Sequence, residues 1–253
     1  MLHRLKRTLA TQAKRGLRRF GVDLYPYPPP DVPKWMAEIA RRVEPYTLTS
    51  AERIASVCYA VEYVTRNAIA GDVVECGVWR GGSMMAAALS LQHLGDTSRT
   101  LHLFDTFEGM TKPGEFDREA NTGRFASELL ADASSGSPMR AIASLRDVRS
   151  NLQSAHYPGE RIRFVQGKVE ETIPAHAPDQ IAILRLDTDW YESTRHELEH
   201  LYPRLANRGV LIIDDYGYWQ GARKAVDEYI ATHHLPLFLH RIDETGRIAI
   251  KVD

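Results

Sequence analysis

Apolar positions along this chain change their period part-way. After Thr49, the residues Ile54, Val57, Cys58, Val61 and Val64 recur at helical spacing, and Thr49 with Glu52 fits a capping box at the start of that helix. Residues 33–48 read as a shorter helix and a connector. From Gly71 onward, short apolar runs alternate with helical stretches. The runs are Asp72–Gly77, Thr100–Asp105, Arg161–Gln166, Ile181–Asp187 and Gly209–Asp214, and the small-residue segment Ser83–Leu94 is the first helix between them. Strands that alternate with helices make a parallel sheet covered on both faces. The end of the chain breaks this alternation. Leu235–Ile242 and Arg247–Val252 are strand-like and joined only by Asp243–Gly246, too short a link for a crossover, so they pair as an antiparallel hairpin. The expectation is an α/β domain with seven strands, mostly parallel, finished by that hairpin.

Three segments stand apart from the alternation. The prolines from Pro26 to Pro30 block helix and sheet and mark a stiff boundary after an N-terminal arm. Residues 31–70 form a helical cap on a domain that runs over 31–253. Residues 111–143, rich in Gly, Ser, Asp and Ala, read as one long loop, of the kind that serves as a lid. No internal repeat interrupts this layout.

Composition narrows the class. A chain of 253 residues with 43% hydrophobic and 26% charged content builds one α/β domain with a full core. The net charge of −1 gives no field that would gather nucleic acid. The charge is uneven, however. Residues 1–22 carry seven of the 32 Lys and Arg and no acid, which leaves a body with 25 basic and 33 acidic residues, a net of −8. Within residues 1–25, Leu2, Leu5, Leu9, Leu17 and Phe20 are spread among the basic positions. Such an arm suits peripheral contact with anionic lipid, and equally suits packing on a second subunit. There is no apolar run of about 18 residues for a membrane span and no apolar segment of a secretory signal. Two cysteines, Cys58 and Cys76, form neither a disulfide framework nor a metal spacing, so the expected compartment is the reducing cytoplasm.

Candidate chemistry collects where strands end. Glu75-Cys-Gly77-Val-Trp-Arg-Gly81-Gly82-Ser83 sits at the turn from the first strand into a helix, where glycine admits close approach and the helix N-terminus offers free N–H groups. The spacings of a dinucleotide fingerprint and of a P-loop are both missing. A nucleotide phosphate and the methionine carboxylate of S-adenosylmethionine both fit the turn, and so does a glycine turn kept for packing alone. Asp105 ends the second strand, where a carboxylate accepts both hydroxyls of a ribose or caps a helix. The strongest signal is acidic. Asp187 and Asp189 follow the fourth strand, and Asp214 and Asp215 follow the fifth. Four carboxylates buried together cost several kcal/mol without a counter-charge. A divalent cation meets that need, and an all-oxygen set favours Mg²⁺, Mn²⁺ or Ca²⁺ over zinc. Two of the aspartates acting as solvated caps is the plainer alternative.

One motif misleads. His196-Glu-Leu-Glu-His200 matches the H-E-x-x-H pattern of zinc peptidases, with Glu197 as base. The apolar stripe Leu198, Leu201, Tyr202 and Leu205 turns both histidines away from the sheet, so they are expected in solvent. Trp79, Trp190, Tyr191, Tyr216, Tyr218 and Trp219 gather near the strand ends, as pocket lining or as core.

Six blocks in order carry a resemblance. They are Tyr46–Ser50, Asp72–Ser83, Leu103–Gly109, Gly167–Glu171, Leu186–Thr194 and Gly209–Tyr216. Together they resemble the macrocin O-methyltransferase family, sugar-modifying enzymes of macrolide and aminocoumarin biosynthesis, over the chain from about Tyr46 to its end. The resemblance implies the class I S-adenosylmethionine-dependent methyltransferase fold, which is Rossmann-like, together with Mg²⁺ and methylation of a sugar hydroxyl. It implies Asp187, Asp214 and Asp215 as metal ligands and Asp189 as general base. It implies Glu75, Gly77, Ser83 and Asp105 at the cofactor, with Gln166 and Lys168 where the chain passes near it. The acceptor would be a small sugar or glycoside, and family members are often homo-oligomers. If the arm does meet lipid, a surface polysaccharide or glycolipid sugar becomes the expected acceptor. A catechol or phenol O-methyltransferase and a non-catalytic S-adenosylmethionine-binding module are the competing expectations.

Overall fold

A computed structural model describes residues 31–134 and 136–252. The basic arm over 1–25 and the proline boundary at 26–30 lie outside the described residues.

Helix α1 (Lys34–Val43) buries Met36, Ile39, Ala40 and Val43, and a 3₁₀ turn over Glu44–Tyr46 leads onward. Helix α2 (Ala51–Arg66) buries all five residues of its expected stripe. Its cap is Ser50, whose hydroxyl accepts from the N–H of Arg53 at 3.1 Å. The cap expected at Thr49 is thus one residue late. Thr49 instead turns its hydroxyl to Asp214, a contact that a local pattern does not contain.

The sheet comprises β1 (Asp72–Cys76), β2 (Leu101–Asp105), β3 (Ile162–Gln166), β4 (Ile181–Leu186), β5 (Leu205–Ile213), β6 (His240–Arg241) and β7 (Arg247–Ile250). Their order is β3-β2-β1-β4-β5-β7-β6, parallel except at β7, which runs antiparallel to both neighbours. The hairpin therefore forms as expected, but its first strand is only two residues long. Leu205, expected on the helical stripe, opens β5 instead, because a 3₁₀ turn at Tyr202–Arg204 ends the helix first.

Two helical layers cover the sheet. Helix α3 (Gly82–His93) packs with α2 and β2, and α2 also meets β4 and β5. On the other face lie α6 (Val169–Thr172), α7 (Tyr191–Leu201) and α8 (Gln220–Thr232). There Leu198, Leu201, Val226 and Tyr229 pack on Val74, Cys76, Leu184, Leu186, Leu211 and Ile213. Full burial of each such aliphatic side chain contributes about 1.5–3 kcal/mol. Successive strand residues face opposite layers, so Glu75, Arg185 and Asp187 share the α2 side. Glu75 and Arg185 are register partners across β1 and β4.

The segment 111–143 is more structured than its composition suggests. It holds α4 (Ala126–Asp132) and a 3₁₀ turn at Pro138–Arg140. Asp117, 1% exposed, anchors it by accepting from the N–H groups of Gly114 and Tyr191, the latter the first residue of α7. Helix α5 (Leu145–Gln153) follows and packs on α3.

Candidate active site

Register places the chemistry. Cys76 pairs with Phe104 and Leu186, and Leu186 with Ile213, so all four strands end at one level. The ladder then continues one residue further. The N–H of Gly77 donates to Phe104, that of Asp187 to Cys76, and that of Asp214 to Leu186, at 2.8–2.9 Å. These residues open into a cavity of about 460 Å³, a size common for small-molecule sites.

On the β1–β2 side, Gly77, Ser83 and Asp105 line the cavity. Gly77 has φ +78°, and a Cβ there would lie 1.9 Å from the carbonyl oxygen of Asp187. Its glycine is thus required by the neighbouring chain as much as by any ligand. Gly81, at φ +90°, caps α3 without a side chain, so the first N–H groups of that helix stay available beside Ser83. Asp105 is heavily used. Its Oδ2 accepts from the N–H groups of Val78 (2.6 Å) and Trp79 (3.1 Å), and its Oδ1 from that of Phe107 (2.6 Å). Burial pushes its pKa up against these bonds. The carboxylate therefore holds the β1–α3 turn in place, a third role beside ribose binding and helix capping.

Two expected cofactor residues lie elsewhere. Glu75 is 1% exposed beneath the cavity, with Oε1 on Arg185 at 2.6 Å and Oε2 without a partner. Burial pushes it up to about 7, although the Arg185 charge pulls it down. Period-2 alternation turns it inward to the α2 layer. Gln166 is exposed and donates weakly to the Thr106 carbonyl at 3.4 Å, outside the cavity lining. Lys168 does line the cavity.

On the β4–β5 side, Asp187, Asp189, Asp214 and Asp215 all line the cavity. One oxygen from each of Asp187, Asp214 and Asp215 lies within 4.8 Å of the others, the one such group among the described residues. Asp189 has φ +69°, its N–H donates to Asp215 Oδ2 at 3.2 Å, and its Oδ1 accepts from the indole of Trp219 at 2.7 Å. Burial, then the charge of Asp214, pushes Asp189 up to about 7 against the indole bond. Asp187 and Asp215 are also pushed well up, first by burial and then, for Asp215, by Asp189 and Asp187.

Two arginines share the site, so a cation is not the only counter-charge that the aspartates have. Arg185, 4% exposed, bonds Glu75 and Asp187 through one nitrogen and Asp214 through the other. Arg53 on α2 pairs with Asp214 and, at 3.0 Å, with Asp243 of the hairpin turn. Six carboxylates, counting Glu75 and Asp243, share two guanidinium groups. If all were ionised, four negative charges would be left over, so the cluster still favours a cation. The signal for Arg185 was a charge inside an otherwise apolar strand. For Arg53, 161 residues from Asp214, no local signal existed.

The peptidase motif dissolves, though not as expected. His196 is half-buried and bonded through Nε2 to the Ile173 carbonyl at 3.0 Å, rather than solvated. Glu197 is fully buried, accepts from the Thr188 hydroxyl at 2.9 Å and leaves Oε2 without a bond. Burial holds its carboxyl well above the usual range. Its place one turn before Leu201 was the readable signal. Of the aromatic set, Trp79, Tyr218 and Trp219 line the cavity. Tyr191 and Tyr216 bind Glu228 and Asp227 on α8. Glu244 and Thr245 of the hairpin turn complete a wall that sequence reasoning missed.

The family described as Macrocin-O-methyltransferase (TylF) matches residues 37–249. This chain belongs to that family. It is 35% identical over 201 residues to the 8-demethyl-8-(2,3-dimethoxy-alpha-L-rhamnosyl)-tetracenomycin-C 4'-O-methyltransferase of Streptomyces olivaceus, covering 79% of this chain and 74% of that one. It is 33% identical over 205 residues to the demethyldecarbamoylnovobiocin O-methyltransferase of Streptomyces niveus, with the same coverage of 79% and 74%. Among solved structures, the O-methyltransferase NovP superposes with a TM-score of 0.72 at 31% identity, over 82% of this chain and 83% of that one. The sheet, with its antiparallel β7, is the class I methyltransferase fold that the macrocin family uses. No helix among the described residues is long and apolar enough to cross a membrane.

Proposed function

We propose that this methyltransferase transfers the methyl group of S-adenosylmethionine to a sugar hydroxyl that has a second hydroxyl beside it. The observation that carries this reading is one cavity with two unlike walls. The β1–β2 wall offers a glycine turn, an uncapped helix start and Asp105. The β4–β5 wall offers three aspartate oxygens within 4.8 Å of one another, with Asp189 alongside. Related enzymes that act on a rhamnosyl-tetracenomycin and on a novobiocin precursor support the sugar acceptor.

The residues fit a divalent cation. The donors are all carboxylate oxygens, and the cluster keeps a negative excess after its arginines are counted. Asp187, Asp214 and Asp215 would hold Mg²⁺ or Mn²⁺. Such an ion lowers the pKa of an alcohol it contacts and orients adjacent hydroxyls. Asp189 then takes the acceptor proton, and the oxygen so freed attacks the methyl carbon as the sulfonium sulfur leaves with the bonding pair. Asp189 lines the same cavity as those three aspartates, the placement a general base needs. Ser83 and the N–H groups at the start of α3 would bind the cofactor carboxylate, and Lys168 and Asp105 flank the space left for its nucleoside.

Two measurements test this. Calorimetric titration of S-adenosylmethionine, with and without Mg²⁺, should give micromolar binding. Methyl transfer is then assayed on deoxyhexosyl glycosides with adjacent free hydroxyls, with catechol alongside. Turnover on glycosides that stops in excess EDTA supports the reading. Turnover unchanged by EDTA removes the metal, and turnover on catechol alone shifts the acceptor class. Asp189→Asn should lower kcat by about 10²–10⁴-fold while metal still binds.

A further inference from the structure

Trp219 follows Asp215 by four residues and is 3% exposed. Indole nitrogen is a donor only, and here it donates to Asp189 Oδ1 at 2.7 Å. Asp189 depends on such support. A non-glycine residue in the left-handed region persists where its surroundings fix it. The backbone N–H of Asp189 is held by Asp215 and its side chain by Trp219.

Trp219 is itself well fixed. It meets Trp190 edge to face, with centroids 5.0 Å apart and planes at 64°. Its backbone bridges to Glu119, and the Trp190 indole donates to the Thr111 carbonyl at 3.1 Å. The segment that starts at Thr111 thus holds the Trp190 ring and the Trp219 backbone.

We propose that Trp219 positions the Asp189 carboxylate, holding Oδ1 so that Oδ2 receives the acceptor proton. This rests on the reading of Asp189 as general base. A core tryptophan kept only for packing would need its ring shape but not its N–H.

The test replaces Trp219 with 3-benzothienylalanine, which keeps the ring outline and exchanges N–H for sulfur, beside Trp219→Phe and Asp189→Ala. The first readout is spectroscopic. The ¹⁵N-labelled protein, loaded with S-adenosylmethionine and Mg²⁺, has four indole N–H signals. The signal lost in Trp219→Phe should move and exchange faster with solvent in Asp189→Ala, while the other three hold. The second is kinetic, on a deoxyhexosyl glycoside that the wild type methylates. The benzothienyl variant should lose about ten- to a hundredfold in kcat, with acceptor KM and melting temperature unchanged. A benzothienyl variant with wild-type kcat, beside an inactive Asp189→Ala, removes Trp219 from the mechanism and leaves the base in place. An indole signal that ignores Asp189→Ala also overturns the proposal. Full turnover in Asp189→Ala, or a wild type that methylates no glycoside, takes away the underlying reading and this role with it.

Discussion

The two walls of the cavity are built on opposite principles. On the β1–β2 wall, the Asp105 carboxylate is satisfied by three backbone N–H groups, and the turn depends on what a backbone without Cβ allows. On the β4–β5 wall, carboxylates outnumber their partners, and Asp214 alone is shared by Arg53, Arg185 and Thr49. The first wall is held by shape and the second by charge balance. A shape-held wall should fail on added volume. A charge-held wall should fail on lost charge and respond to pH.

The largest expected effect removes the central charge. Arg185→Met leaves Glu75, Asp187 and Asp214 without their shared partner, and breaking buried pairs in this way costs about 3–5 kcal/mol. Urea melts at neutral pH should register that loss, and acidification should recover part of it as Glu75 and Asp187 protonate. A loss below about 1 kcal/mol would mean that the wall is not held by charge. Next comes the shape-held wall. Gly77→Ala drives a methyl into backbone and forces a left-handed alanine, together about 3 kcal/mol. The obstructing oxygen belongs to Asp187, so this substitution should also weaken Mg²⁺ binding in calorimetry. If metal affinity is unaffected, the two walls are less coupled than the 1.9 Å approach implies.

Smaller effects sharpen the contrast. Asp105→Asn keeps the outline but faces an amide N–H₂ toward backbone donors, which should cost about 2 kcal/mol and weaken S-adenosylmethionine binding. Thermal melts and titration with the cofactor check both halves of that statement. The smallest is a pH effect at Glu197, behind the acidic wall. Its folded pKa lies above its unfolded value, so its contribution is complete at low pH and is lost as pH rises through the folded pKa. Melting temperature should fall less between pH 6 and pH 9 in Glu197→Gln than in the wild type. Equal pH slopes in the two proteins would show that Glu197 is ionised at both ends of the range.

The residues themselves explain what was readable. Strands and helices announce themselves because short apolar runs and a period of 3.6 are local properties, and the five parallel strands end within a residue of their expected ends. The aspartate pairs were visible because strand ends are where α/β folds bind ligands. Glu75 and Gln166 were visible as motif members, yet the sheet turned one inward and left the other outside the cavity. Thr49 has the local pattern of a cap, yet its hydroxyl meets Asp214 across the fold. Segment 111–143 read as a loop because its anchor, Asp117, bonds to the start of a helix 74 residues away.

The sequence by itself determined the order of elements, the antiparallel finish, the family and the set of acidic side chains at the carboxyl edge. All of these follow from short-range pattern or from motif order. The tertiary structure decided which groups meet those acids. Arg53 arrives from a helix ahead of the sheet, Asp243, which shares Arg53, from the closing hairpin, and the Trp219 indole from the turn beyond β5. Their meeting depends on strand register and layer packing, which sum contacts across more than a hundred residues of chain and leave no mark at any one position.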